Sequence, residues 1–433
     1  MVITLSFCAR AIGVRGDCRG RLRTSARIAG EDTHLTAEPK QVGVAIDAIA
    51  RDSAVKLIRV YLRDPEEPVL RLVGWRGGPP PDREVGWEKG LVGGAAAAGI
   101  PLQSQETGDV TLAVPILLGE DALGVLAVGG RTGREWTPDE EDALVARGRA
   151  LARDLAPPPL HALRAELGRR VQPAALAWLD TVIAAAQRGE PSAIVNGFPA
   201  VGRRVGREPL ECRSALVVRE VGLEVPLRAW RVDDAARVAF LCAFTGNAEA
   251  LARELYYTGD LRERCGALRA LAVVGREAAA HDAILDAART SAVELFEAAI
   301  ADNPYTSRVL PIDEFRTVVL KCAFVGVSID RVIGLEARAD AELSRMLLSY
   351  VSEREVAGRS VPPDVWPVVA LHPTPGLVAK LCGYLEHPAE AHRAGAAVAL
   401  GRIDDPRVRP FIEDRVPRET DRAVRRALER ALA

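Results

Sequence analysis

The sequence predicts a mixed α+β domain followed by an all-α domain of stacked helices, and three observations carry that prediction. The triplet Pro157-Pro158-Pro159 in "RDLAPPPLHALRAEL" is the clearest punctuation in the chain. Three prolines remove backbone donors and hold the chain extended, so residues 157–159 read as a hinge. Before the triplet, short aliphatic and β-branched runs alternate with glycine-bounded turns and helical stretches. After it, apolar residues recur at three and four almost to the end. A chain of 433 residues with 48% hydrophobic and 27% charged content can build the two or three cores this division needs.

In order from the N-terminus, residues 1–36 carry Arg10, Arg15, Arg19, Arg21, Arg23 and Arg27 behind a short apolar stretch. A secretory signal has the opposite order and a longer apolar core. The expectation is a basic, disordered tail, or else a stretch that meets an acidic partner or membrane surface through its charge. Residues 37–156 form the α+β domain. "AEPKQVGVAIDAIARDS" reads as a helix, "AVKLIRVYLRD" and "VLRLVGWRG" as strands parted by the turn "DPEEP". "VGWEKGLVGGAAAAGIPLQS" is a glycine-bounded short helix leading into a strand. "VTLAVPILLGEDALGVLAVGG" is two strands around Gly119-Glu120-Asp121. The last helix opens at Pro138, with Thr137 and Glu140 spaced as a capping box.

"GWEKGLVGGAAAAGIPL", "AVPILLGEDALGVLAV" and "EWTPDEEDALVARGRALA" together resemble the GAF family of small-molecule sensor domains over about residues 37–155. The resemblance implies the fold. It leaves two roles open: a GAF fold used for dimerisation or packing, or a ligand sensor. The ten residues "QSQETGDVTL" between Leu102 and Ala113 are shorter than the segment that helps cover the ligand cavity in the family. No cysteine or histidine lies between Lys40 and Ala156, which excludes covalent tetrapyrrole attachment and histidine ligation of haem inside this domain. "GLVGGAAAAG" lacks the Lys-Ser/Thr of a phosphate loop and the spacing of a dinucleotide fingerprint, so it reads as the close-packed start of a helix.

From residue 160 to 433 the pattern is helical. Leu176, Leu179, Val182 and Ile183 share one face of "PAALAWLDTVIAAAQRG", and Val238, Leu241, Cys242 and Phe244 repeat the pattern. "LRERCGALRALAVVG" and "AHRAGAAVALGRIDDPRVRPFIED" have the texture of HEAT-like helix pairs, clearest over 378–433. "VQPAALAWLD", "LRAWRVDDAARVAFLC" and the long block "FEAAIADNPYTSRVLPIDEFRTVVLKCAFVGVSIDRVIGLEARADAELSRMLLSYVSEREVAGRSVPPDVW" resemble the EboA proteins over about residues 160–375. That resemblance implies an all-helical protein that moves or handles a small metabolite, without implying a reaction.

Candidate binding residues concentrate in that long block. Lys321 is one of five lysines and stands inside the apolar run "VVLKCAFVGV". Its amine reaches water from a buried stem, pairs with an acidic ligand, or serves as a Schiff-base nucleophile. Asn303 precedes Pro304 and ends a helix, Tyr305 fills a groove or the core, and Asp330 is a nearby carboxylate. Arg338, Glu342 and Arg345 lie within helical reach of one another, and Tyr350 and Arg354 continue that helix towards a stop at Gly358. The expected ligand-binding set is Asn303, Tyr305, Lys321, Asp330, Arg338, Arg345, Tyr350 and Arg354.

The remaining features narrow the function classes. With a net charge of −2 and no concentrated basic face in its body, the chain does not read as a nucleic-acid binder. No window approaches a membrane-spanning length. The seven cysteines are odd in number and scattered without a CxxC pair, the pattern of reduced thiols in the cytoplasm. His387 and His392 stand five apart, which would place them on different helix faces, and neither a metal site nor a cofactor is expected. The leading expectation is a non-catalytic cytoplasmic binding or adaptor protein for a small metabolite. Its partners would be that metabolite and other proteins of its pathway, and the chain would pair as a homodimer. The alternatives are a GAF-based sensor, or an enzyme using Lys321 or the carboxylates Asp313, Glu314 and Asp330.

Overall fold

The computed structural model describes residues 24–28, 31–35, 40–51, 55–78, 81–106, 109–132, 135–403 and 405–432. The chain divides into two compact units, Met1–Ala156 and Pro157–Ala433.

The first unit is built on an eight-stranded antiparallel sheet. Its strands are β1 (Thr24–Ile28), β2 (Glu31–Leu35), β3 (Leu57–Arg63), β4 (Val69–Arg76), β5 (Glu84–Gly86), β6 (Leu102–Glu106), β7 (Asp109–Leu118) and β8 (Asp121–Thr132). They run in the order β1-β2-β4-β3-β8-β7-β6, with β5 paired to β4. Strands β1 and β2 fall within the stretch 1–36 that was expected as a tail; residues 1–23, 29–30 and 36 lie outside the described part. β1 pairs along its whole length with β2, and Thr33, His34 and Leu35 of β2 lie opposite Arg76, Trp75 and Gly74 of β4.

Three helices cover this sheet: α1 (Lys40–Ala50), α2 (Gly90–Ala98) and α3 (Pro138–Leu155). The expected capping box starts α3: Glu140 N donates to Thr137 Oγ1 at 3.4 Å, and Thr137 N donates to Glu140 Oε2 at 3.0 Å. α1 and α3 lie together on the sheet, with Gly148 of α3 against Val114 and Pro115 of β7. On the other face α2 packs its alanines. Ala95 and Ala96 meet Tyr61, Leu70, Leu72, Ala113 and Val125, with Trp75, Trp87, Leu91, Val92 and Leu102 around them. Of the glycines of "GLVGG", Gly93 serves close packing, because a Cβ there would lie 2.2 Å from the Gly86 carbonyl oxygen.

The second unit is helical. Its helices are α4 (Pro159–Arg170), α5 (Pro173–Gln187), α6 (Pro191–Gly197), α7 (Val201–Val205), α8 (Val232–Ala243), α9 (Ala248–Thr258) and α10 (Leu261–Val274). They continue as α11 (Glu277–Ala288), α12 (Val293–Ile300), α13 (Thr306–Val309), α14 (Ile312–Val325), α15 (Leu335–Arg338) and α16 (Ala341–Val356). The last are α17 (Val365–Val369), α18 (Leu377–Tyr384), α19 (Glu390–Gly401), α20 (Arg409–Arg415) and α21 (Arg422–Leu432).

One two-stranded ribbon interrupts the helices, which periodicity did not foretell. β9 (Ala215–Val218) pairs with β10 (Leu223–Pro226). "ALVV" is a buried β-branched run too short to show a period, and Gly222 at φ 64° makes the turn. One continuous core runs through the whole unit, from Leu163 of α4 to Leu428 of α21. Phe198, Phe240, Tyr256, Phe296, Tyr305, Phe315 and Trp366 are among its largest fully buried side chains. Each such side chain contributes about 1.5–3 kcal/mol relative to exposure. Among the described residues no helix is long and apolar enough to cross a membrane.

Candidate functional site

Two consecutive acids open an otherwise apolar helix, and around them the second unit builds a buried ionic network. Asp233 and Asp234 begin α8 and are fully buried, as is Arg237 one turn later. Asp233 accepts from Arg237 Nη1 at 2.6 Å and from Arg262 Nη2 of α10 at 2.8 Å. Asp234 accepts from Arg262 Nη2 at 2.9 Å and from Arg269, and it caps its own helix by accepting from Arg231 N at 2.9 Å. Arg262 also reaches Glu294 of α12 at 2.5 Å. Burial pushes the Asp233 carboxyl up, but the Arg262 and Arg237 guanidiniums outweigh burial and hold it below the ordinary carboxylate range. Each of these charges has partners of opposite sign, as a buried charge must.

The network opens into a cleft lined by Val225, Trp230, Arg269, Asp302, Asn303 and Arg331, among others. Asp302 sits between α12 and α13 with φ 56°, a left-handed backbone that aspartate tolerates better than most residues. Its N–H donates to the Arg331 carbonyl at 2.8 Å. Its carboxylate takes Arg228 Nε at 2.9 Å and Arg331 Nε at 2.8 Å, and Arg331 Nη1 reaches Glu297 at 2.5 Å. Arg269 Nη2 donates to the Ala229 carbonyl at 3.0 Å, and its guanidinium lies 5.6 Å from the Trp230 ring centroid. The free space in the cleft is about 10 Å³.

The sequence-predicted residues are spread over several places. Asn303 is 3% exposed and lines this cleft; its Oδ1 accepts from Tyr305 N at 3.0 Å. Tyr305 turns into the core, where its hydroxyl donates to the Gly275 carbonyl at 2.9 Å and burial raises its pKa. Lys321 is half-buried on α14. Its Nζ donates to the carbonyls of Ala288 and Thr290 at 2.9 and 2.6 Å, closing the C-terminal end of α11, and stands 4.3 Å from the Phe296 ring centroid. Burial draws its pKa down. Asp330 is exposed. Arg338 Nη1 donates to the carbonyls of Ser307 and Leu310 at 2.5 and 2.7 Å, and its guanidinium lies over Phe315.

The single helix expected through Arg338, Glu342 and Arg345 is broken, which separates Arg338 from the others. Asp340 accepts from Leu343 N at 2.9 Å and so caps a new helix, α16. Within α16 Arg345 pairs with Glu342 at 2.6 Å, Tyr350 donates to the Ala323 carbonyl at 2.9 Å, and Arg354 donates to the Ser360 carbonyl at 2.8 Å. Of the predicted set, Asn303 is the member that lines the cleft.

The expectation for the histidine pair is also corrected. His387 lies before Pro388, ahead of α19, not on the same helix as His392, and the two ring centroids come within 4.2 Å. His392 Nδ1 accepts from Trp366 Nε1 at 3.2 Å, His387 Nδ1 accepts from Ala389 N at 3.1 Å, and Tyr384 stacks on His387.

In the first unit a cavity of about 180 Å³ lies along α1 and α3, lined by Ile49, Val55, Trp136, Asp139, Glu140 and Arg147 among others. The opposite face, beneath α2, is packed with the unit's own side chains.

Residues 160–370 match the family model described as metabolite traffic protein EboA, and residues 368–433 match HEAT repeats. No curated protein matches the chain. Among solved structures, the GAF domain of an Acinetobacter phosphoenolpyruvate-protein phosphotransferase is 17% identical over 28% of this chain and 84% of that one, with a TM-score of 0.25. A type II free methionine-R-sulfoxide reductase from Thermoplasma acidophilum is 13% identical over 27% of this chain and 90% of that one, also with a TM-score of 0.25. The EboA-like stretch and the HEAT-like end were each anticipated from the sequence, as was a mixed α+β unit ahead of them.

Proposed function

We propose that the chain is a non-catalytic binding or adaptor protein that handles a small metabolite in the cytoplasm, with the GAF-like unit as its dimerisation or regulatory part. The carrying observation is the match of residues 160–370 to the metabolite traffic family. The non-catalytic part of the reading is supported by what the reactive groups are doing. The Lys321 amine is engaged by two carbonyls. Burial pushes the thiols of Cys242, Cys265 and Cys322 up to about 12, far from the thiolate a nucleophile needs.

Equilibrium dialysis of the full chain against a small-molecule extract tests both halves of this reading. Enrichment of one compound class, recovered chemically unchanged, is the expected result. Conversion of the enriched compound contradicts the non-catalytic reading, and no enrichment contradicts metabolite binding. A second reading, a ligand-sensing GAF unit, is favoured by the cavity along α1 and α3. Ala143→Trp, which fills that cavity, abolishes compound enrichment under the sensor reading and leaves it intact under the first.

A further inference from the structure

The cavity along α1 and α3 has two chemically distinct ends. Its floor is made by Ile49 from the last turn of α1, Val55 ahead of β3, Trp136 ahead of α3 and Leu144 within α3, all four buried. Its rim carries Asp139, Ala143 and Arg147, which follow one another at every fourth position of α3 and are exposed. The remaining polar lining residue, Glu140, commits Oε2 to Thr137 N in the capping box. Arg147 Nη1 donates to the Ala48 carbonyl at 2.9 Å, which fastens the rim to α1 as well as to α3.

Size and charge together set the class of visitor. Protein interiors pack nearly as densely as organic crystals, so a space of about 180 Å³ beside four buried apolar side chains is large. An apolar cavity of about 150 Å³ takes benzene, whereas pockets for drug-sized ligands start at roughly 300 Å³. The cavity therefore suits one six-membered ring with a small substituent and is too small for a nucleotide or a fused-ring cofactor. Its rim holds one carboxylate and one guanidinium. Asp139 opposes an incoming anion and Arg147 an incoming cation. A charge drawn down to the apolar floor would lose its water and find no partner.

We propose that this cavity binds a small, neutral, largely apolar compound of single-ring size, its ring against Trp136 and Leu144 and any polar substituent turned to the rim. The inference deepens the ligand-sensing reading, on which it rests, by naming the class of the effector. It does not depend on metabolite handling by the helical unit.

The test uses full-length protein labelled with 15N-tryptophan, the Trp136 indole signal being assigned by its loss in Trp136→Phe. Toluene, p-cresol, benzoate and benzylammonium are titrated in turn. The expected result is a saturable shift of the Trp136 signal with toluene and p-cresol, and binding of both ions about tenfold weaker. Ala143→Trp fills the cavity and removes the response to toluene. If that variant loses its near-ultraviolet circular dichroism, Ala143→Leu, a smaller intrusion at the same exposed position, weakens toluene binding about tenfold instead.

The inference is overturned if no probe shifts Trp136, if the folded position-143 variant responds as the parent protein does, or if either ion binds as tightly as toluene. Tight binding of an ion removes the neutral class and leaves a ligand site standing here. Silence from every probe removes the ligand-sensing reading from this cavity as well. Metabolite handling is judged separately, by the extract dialysis, and survives both results.

Discussion

Lys321 and Asp234 show how the same residue type acquires its role from groups the sequence does not place beside it. A lysine in an apolar run is legible as an anomaly in one dimension. Its explanation, the carbonyls of Ala288 and Thr290, comes from more than thirty positions upstream and follows only once α11 and α14 pack. Lys321→Met keeps the packed stem and removes two hydrogen bonds, so urea unfolding should show a loss of about 1–3 kcal/mol. Retained compound enrichment in that variant would accord with a capping role; its loss would return Lys321 to the binding site. The paired acids of "RVDDAARVAF" were visible within a block of family resemblance. Their partners Arg262 and Arg269 stand on another helix, and no spacing rule connects them. Asp234→Ala leaves buried guanidinium charge uncompensated and is expected to cost about 3–5 kcal/mol, read from denaturant midpoints. A loss below about 1 kcal/mol would show that water reaches the network and that the cleft is less rigid than its hydrogen bonds imply.

At the scale of elements, helices with strong apolar periodicity and capping chemistry were readable, including α3 with its capping box and α14 from near Asp313. Short elements were not. β9 and β10 are four residues each, too brief for a period, and β1 and β2 fell within a stretch whose basic composition argues for disorder. The break before α16 was hidden because Asp340 caps through its side chain without any glycine or proline to mark the place. The α18–α19 pair carries its own prediction. His392 accepts at Nδ1 from Trp366 Nε1, so protonation there removes that hydrogen bond, and the His387 ring lies 4.2 Å away. Burial, and then His387, hold the His392 pKa below its ordinary 6.5. A histidine depressed in the folded state supports folding fully above the unfolded value and loses that support as pH falls below about 6.5. Glu355, with Lys380 and Tyr384 bound to it, and Arg393, bound to Glu419, are the neighbouring charges. Thermal unfolding should therefore show a lower midpoint at pH 5.5 than at pH 7.5, with much of the difference removed in His392→Gln. An equal difference in the variant would place the pH sensitivity elsewhere.

For the whole molecule, composition and the proline triplet were enough to anticipate a mixed unit followed by a helical one, because hydrophobic period is a long-range average that survives local errors. Position of the candidate site was not legible to the same degree. Asn303 was picked out for ending a helix and lines the small cleft, whereas Arg345, Tyr350 and Arg354 satisfy their own helix and its neighbours. Family resemblance concentrated attention on one stretch, and packing then decided which of its polar residues are engaged by their neighbours. The central claim, that the chain carries a small molecule, is tested most directly by native mass spectrometry of freshly purified full-length protein, followed by the same sample denatured. The account predicts a mass excess in the native spectrum that disappears on denaturation. A native mass equal to the sequence mass, or a whole multiple of it, under conditions that preserve non-covalent complexes would contradict it.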